Sequence, residues 1–324
     1  TLRSGPRIVA IGGGSGLSSL LRAVKHLSAN ISAIVTVADN GGNSGQLRND
    51  LGVLPPGDIR NCLIALSQVE PSMENLMQYR FKEGTLKGQC FGNLLLVGLS
   101  DLNGGFLKGI QVASEVLAIV GKVLPVTTDN VQLRARMVDG TVIEGESLIG
   151  KAQREYGGFI DRVWLEPCDC TALSEAVEDI LNADIILMGP GSLYTSLIPN
   201  LMVPGIVDAI DKSEAVKIFI MNLMTQPGET EGYDAEMHIN AVKEHAGKNL
   251  FDYYLINEKM AMPEELKQKY EADCAAEVAC DVAKLTRNGY NVVLADMAKE
   301  DNEKIRHSLN RLAAAIYNIY NRKI

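Results

Sequence analysis

Apolar positions along the chain alternate between two rhythms. Arg7–Ile11 (RIVAI) is a short β-branched run, and Leu17 to Leu27 carries apolar residues at helical spacing. Ile31–Val37 is a second buried run, so the chain opens with a strand, a glycine-rich turn, a helix and a strand. Residues 55–121 read as mainly helical. Pro55-Pro56-Gly57-Asp58 is a start signal before Ile59–Leu66, and further helices are predicted from Ser72 towards Phe81, over Phe91–Leu102 and over Phe106–Gly121. The period then drops to two: Val131–Val138 alternates, Asp139-Gly140 is a hairpin turn, and Thr141–Ile143 returns. The mixed rhythm resumes with a helix after Thr171 and strands at Asp184–Met188, Val216–Met221 and Phe251–Ile256. Helices are predicted after Ser192 and over Tyr233–His245, a short strand at Val292–Leu294, and an amphipathic helix from Asn302 to Ile319.

Strands alternating with helices predict an α/β protein with a mainly parallel, doubly wound sheet. The expected organisation is one unit over residues 1–324, with a small antiparallel hairpin excursion at about 122–150. Aromatics are only 5%, so Ile, Leu, Val, Ala and Met must build the core. A formal charge of −9 argues against nucleic acid or an anionic membrane surface as partner. Six cysteines without a C-x-x-C pair, and four histidines, predict reduced thiols and no metal site. No apolar run approaches the roughly 18 residues of a membrane span. Residues 1–6 lack the apolar core of a signal peptide, and a cytoplasmic protein is expected.

The 30 glycines gather in a few loops, and these carry the candidate chemistry. Gly12, Gly13, Gly14, Ser15 and Gly16 lie directly between a strand and a helix. Missing β-carbons there let backbone N–H groups approach an anion at a helix N-terminus. The match to G-x-G-x-x-G is partial, with Leu17 at the third position; a tight turn without ligand is the plainer reading. Asp39 stands where the second strand ends, suited to a ribose, a metal or a substrate hydroxyl, or simply to an Asx turn. Asn40, Gly41, Gly42, Asn43, Ser44 and Gly45 continue it as a donor-rich loop. Asp58 is placed to cap the next helix, and Arg60, beside Asn61, to hold a phosphate or carboxylate.

A second strand–turn–helix passage follows at Gly189, Gly191, Ser192, Tyr194 and Thr195, predicted to face the first loop across one crevice. Asn222, Thr225 and Gln226 offer neutral hydrogen-bonding groups after the next strand. No Ser-His-Asp order, G-x-S-x-G, H-E-x-x-H or P-loop motif is present. His26, His238 and His245 read as structural or surface residues; His307, directly after Arg306, is not so readily assigned.

Together IVAIGGGSGLSSLLRAVK, IVTVADNGGNSGQLR, LPPGDIRNCLIAL, MGPGSLYTSLIPNL and MNLMTQPGETEGY resemble the YvcK family of gluconeogenesis factors, itself similar to the CofD 2-phospho-L-lactate transferases. The resemblance spans almost the whole chain. It implies a Rossmann-like fold in a cytoplasmic bacterial protein that binds UDP-sugars, notably UDP-N-acetylglucosamine, and is linked to gluconeogenic growth, cell shape and cell-wall synthesis. It places the first Gly loop near a diphosphate, and implies a uracil-stacking role for Tyr270 and a phosphate-pairing role for Arg306. Asn40 departs from the second Asp of the family's usual pair, which weakens a divalent-metal site. Three readings follow. The first is a UDP-sugar-binding regulator that needs no cofactor and acts through an unidentified protein partner, with a homodimer allowed. The second is a magnesium-dependent CofD-like transferase in which Asp39 is catalytic. The third is an NAD-linked oxidoreductase.

Overall fold

The structure, a computed structural model, describes residues 2–69, 71–258, 260 and 262–322. Ile8–Gly12 (β1), Ile31–Val35 (β2) and Lys122–Pro125 (β3) come first. Gln132–Met137 (β4), Val142–Glu144 (β5) and Ile160–Glu166 (β6) then build a separate antiparallel sheet in the order β5-β4-β6. Ile185–Met188 (β7), Val216–Ile220 (β8), Tyr253–Asn257 (β9) and Val292–Ala295 (β10) rejoin the first sheet. Its order is β10-β9-β8-β7-β1-β2-β3, and every pairing is parallel. A last hairpin pairs Ala298–Asp301 (β11) with Lys304–His307 (β12).

Strand alternation sends side chains to two cores. Val9, Ile11, Ile34, Ile186 and Met188 face one, shared with the small sheet's Leu133, Ala135, Val163 and Leu165. Ile8, Ala10, Ala33, Val35, Ile185 and Leu187 face the other. The helix Gly14–Val24 (α1) closes that second face because Leu17, Leu20, Leu21 and Val24 fall on one stripe. The helices Gly42–Leu51 (α2), Gly57–Leu66 (α3), Pro71–Gln78 (α4), Phe91–Asn103 (α5) and Phe106–Val116 (α6) fill the passage between β2 and β3, and Leu309–Arg322 packs on α1. From β1 the chain moves out to β2 and β3, then adds β7 on the other side. The switch point, where parallel α/β sheets open a crevice, therefore lies between β1 and β7.

Four local expectations change. Lys122–Pro125 is an edge strand of the main sheet and not part of the antiparallel excursion, because Val123 and Leu124 are buried beside β2. That excursion gains an unforeseen third strand, β6, opposite an irregular register at Arg136 and Met137. The irregularity breaks the period-two pattern that would have revealed it. The loop at Asn43, Ser44 and Gly45 is the first turn of α2. The terminal helix starts at Leu309, not Asn302: Asn302 and Glu303 have φ of 51° and 57°, the left-handed pair of a tight hairpin, so this stretch becomes the β11–β12 turn. Among the described residues no single helix is long and apolar enough to cross a membrane.

Candidate functional site

β1 runs directly into α1, so Gly12–Gly16 is a strand-to-helix turn with no spare residues. Gly14 sits at φ +60°. A β-carbon on Gly16 would fall inside the contact radius of the Pro190 carbonyl oxygen, so glycine is what allows the two Gly-rich turns to touch. The first-turn N–H groups of α1 have no intrahelical carbonyl to meet. One of them, on Gly14, donates to the Asp58 carboxylate; Ser15 and Gly16 carry others. The Gly189–Ser192 turn is held from β8. Asn222 accepts from the Gly191 N–H at 2.9 Å and donates to its carbonyl at 2.8 Å, and the Ser192 hydroxyl donates to Gln226 at 2.6 Å.

Between the turns, at the switch point, lies a cavity of about 340 Å³ walled by Gly13–Gly16, Pro190–Ser192, Asn222–Met224, Gln226 and Ile305–His307. That volume falls within the roughly 300–1,000 Å³ of small-molecule sites. Arg306 brings an exposed cation to the far wall and has no ion pair among the described residues. A larger groove of about 1,060 Å³ lies between residues 51–54 and the α5–α6 hairpin, but neither Gly turn opens onto it.

Of the residues singled out from sequence, Gly13, Gly14, Ser15, Gly16, Gly191, Ser192, Asn222 and Arg306 line this cleft. Gly12 ends β1, and Gly189 lies against the Ile220 carbonyl. Tyr194 and Thr195 turn into the interior: the Tyr194 hydroxyl meets that of Tyr233 at 2.8 Å, and the Thr195 hydroxyl donates to Glu229 at 2.8 Å. Tyr270 stands behind the β11–β12 hairpin, its hydroxyl accepting from the Ile305 N–H at 2.8 Å. Arg60 is buried; its two terminal nitrogens are taken by the Cys90 thiol, Asn93 and Asn61, while its Nε is buried without a partner among the described residues, so it presents no terminal fork to an anion. Asn61 is thereby a partner of Arg60.

Asp58 does not cap its own helix; α3 has no side-chain cap, and the carboxylate reaches across to α1. Behind it a second group assembles. Asp39 accepts the Gly41 N–H at 2.8 Å in an Asx turn. Asn40 accepts from the Ser147 N–H at 3.0 Å, locking the 39–45 segment to the start of the helix Glu146–Ile149. Ser44 is buried, with its hydroxyl oxygen so close to Gly57 that a β-carbon there would collide with it. Gly42 adopts φ +49° at the start of α2.

Two acidic residues were not singled out from sequence. Glu146 faces Asp39 and Asp58; burial first, then those two charges, pushes its carboxyl up to about 8. Burial likewise holds Asp58 up at about 6, against the lowering effect of the Gly14 N–H. Glu229 is fully buried and pushed up to about 7 by burial, although Thr195, Tyr194 and Leu193 all donate to it. An acid in a turn without a neighbouring cation was the available signal for Glu229; nothing local marked Glu146, which only the fold brings to Asp39. Among the described residues no three His, Cys, Asp or Glu side chains converge in a metal-holding group. Asn40, at the position of the family's second Asp, is engaged by the Ser147 N–H.

The family model described as 2-phospho-L-lactate transferase CofD matches residues 8–298. The chain is 50% identical over 310 residues to a relative in Thermoanaerobacterium thermosulfurigenes, covering 96% of this chain and 95% of that one. It is 45% identical over 315 residues to the gluconeogenesis factor of Bacillus subtilis, covering 97% and 98%. A crystal structure of a UPF0052-family protein from Bacillus halodurans superposes with a TM-score of 0.92 at 44% identity, covering 97% of this chain and 99% of that one. The chain belongs to the CofD family and, within it, to the gluconeogenesis factors.

Proposed function

We propose that this chain is a cytoplasmic UDP-sugar-binding regulator of the gluconeogenesis-factor type, serving cell shape and cell-wall synthesis on gluconeogenic carbon sources through a protein partner. UDP-N-acetylglucosamine is its expected ligand. The observation that carries the reading is the cleft at the β1–β7 switch point, where free amides of a helix start and the Arg306 cation face one another. A diphosphate matches both: amides and helix dipole on one side, a charge-assisted contact on the other. The neutral Ser192, Gln226 and Met224 between them suit a sugar or base.

Calorimetric titration with UDP-N-acetylglucosamine, with and without magnesium and with NAD and GDP as controls, tests it. Micromolar binding that ignores magnesium is the expected outcome. No binding at millimolar ligand overturns it.

One observation favours a CofD-like transferase as second reading. Asp39, Asp58 and Glu146 form one electrostatically coupled group, Asp58 meeting the Gly14 amide, and burial raises Asp58 and Glu146 towards neutral pH. Such a group can take a proton from an acceptor hydroxyl. Product formation from a nucleotide-linked donor and an acceptor hydroxyl, lost in Asp58→Asn, is the result this reading requires.

A further inference from the structure

The passage Ser192–Ser196 carries four hydroxyls, and three of them are engaged inside the protein. Ser192 donates to Gln226, Tyr194 meets Tyr233, and Thr195 donates to Glu229. The Ser196 hydroxyl has no hydrogen-bond partner among the described residues, although the residue is only 9% exposed. Unlike the orphaned Nε2 atoms of His238 and His307, its oxygen is not sealed from solvent. Ser196 forms part of the cleft wall. A β-carbon built on Gly14 would have one neighbour within 4 Å, the Ser196 hydroxyl oxygen at 3.7 Å. That oxygen therefore borders the same open space as the start of α1. The local backbone puts it there. Leu193–Leu197 is a π-helical turn, in which the Leu197 N–H donates to the Ser192 carbonyl, five residues back, at 3.0 Å. The extra residue in such a turn lets Tyr194 and Thr195 point inward while Ser196 comes round between the two Gly turns. Asn200 holds it in place, donating to the Ser196 carbonyl at 2.8 Å and to the Gly12 carbonyl at 3.3 Å.

We propose that Ser196 is a phosphate-binding residue, its hydroxyl donating to an oxygen of the ligand phosphate that the Ser15 and Gly16 amides receive. The inference rests on the nucleotide-sugar reading above. A phosphate oxygen near pH 7 is an acceptor, and a serine hydroxyl rotates to donate to it. The anion is then met from three elements: amides from α1, a hydroxyl from the segment after β7, and the Arg306 cation from β12. A hydroxyl that is nine-tenths buried and has no protein acceptor gains more from such a ligand than an exposed one that water serves equally well. A hydroxyl that merely braces its own helix donates to a carbonyl of the preceding turn. Ser18 and Ser19 do so on α1, both donating to the Ser15 carbonyl, at 3.0 Å and 2.9 Å. Ser196 makes no bond of that kind.

The experiment titrates the full chain with UDP and with inorganic pyrophosphate, and repeats both titrations on Ser196→Ala. The variant should bind each ligand about tenfold more weakly than wild type, the scale of one lost charge-assisted hydrogen bond. The two factors should agree within about twofold, because the lost contact is to phosphate and not to the nucleoside. The thermal midpoint of Ser196→Ala should stay within about 1 °C of wild type, since no hydrogen bond within the protein is removed. Unchanged affinity overturns the inference. A loss seen with UDP alone overturns it too, by putting the hydroxyl against the nucleoside, as does wild-type binding of UDP without binding of millimolar pyrophosphate. A lowered midpoint, or a variant that fails to fold, gives Ser196 a structural role and also overturns the assignment. In all these cases wild type still binds UDP and the parent reading stands. Wild-type binding of pyrophosphate without UDP overturns the parent reading, and Ser196→Ala with pyrophosphate alone then decides the assignment. Binding of neither ligand overturns both.

Discussion

At Gly13–Gly16 a carboxylate from a neighbouring element takes one amide of the helix start; at Ser192–Thr195 another takes three donors. The two turns share one sequence style, an apolar strand, glycines and a hydroxyl, yet they end in different chemistry. Asp58 accepts only the Gly14 N–H and leaves Ser15 and Gly16 facing the cleft. Glu229 accepts from the N–H groups of Leu193 and Tyr194 and from the Thr195 hydroxyl, sealed from solvent. The positive end of the second helical turn is therefore answered by the chain itself. What that turn gives the cleft is the backbone of Pro190–Ser192, clamped by Asn222. A helix N-terminus is an anion site only where the fold has not already supplied the anion.

The comparison breaks most visibly at Glu229. Glu229→Ala leaves three buried donors unmet and should cost about 3 kcal/mol of stability, read by chemical denaturation. Glu229→Gln keeps an acceptor and should cost about half as much. Asp58→Asn should stay within about 1 kcal/mol of wild type, because only the Gly14 bond is weakened; equal losses at the two sites would end the distinction. Gly16→Ala pushes the Pro190 carbonyl away and separates the turns. It should lower UDP-sugar affinity at least about tenfold and stability by about 1–2 kcal/mol. Arg306→Ala should lower affinity by about tenfold while leaving the thermal midpoint unchanged, since the side chain is exposed and pairs with no described acid. An unchanged affinity in that variant would move the diphosphate away from the β12 wall.

Sequence pattern was a good guide wherever local chemistry and the fold agree. The βαβ opening, the strands at 185–188 and 216–220 and the cleft-lining Gly13–Gly16, Gly191, Ser192, Asn222 and Arg306 were legible because a strand-end glycine and a helix start are neighbours in the chain. Direction was not legible. Arg60 reads as an exposed phosphate ligand, but a partner set of Cys90, Asn93 and Asn61, assembled from α5 and its own helix, draws it inward. Tyr194 and Thr195 read as ligand groups until Glu229, more than thirty residues on, claims them. The β11–β12 hairpin was hidden because its turn residues, Asn302 and Glu303, sit among residues of helical spacing. Its consequence is large, since it delivers Arg306 and His307 to the cleft.

The finest test of the buried acidic group behind the first Gly turn is its response to pH. Glu146 is held at about 8 and Asp58 at about 6 in the folded chain, against an unfolded carboxyl range near 4. For these groups the folded state keeps a proton that the unfolded state gives up. Stability is therefore highest at pH values below about 4, as far as these two groups are concerned, and declines as pH rises towards 8. Glu146→Gln removes the larger contribution and makes that decline shallower, because the amide imposes no charge on Asp39 and Asp58. It also relieves Asp58 of a neighbouring negative charge at high pH. Denaturation midpoints of wild type and Glu146→Gln at pH 5 and pH 8 measure the effect: the variant should gain on wild type at pH 8 and match it at pH 5. A constant difference between the two proteins at both pH values would mean that Glu146 titrates like an ordinary solvated carboxylate, and that the acidic group behind the first Gly turn is open to water.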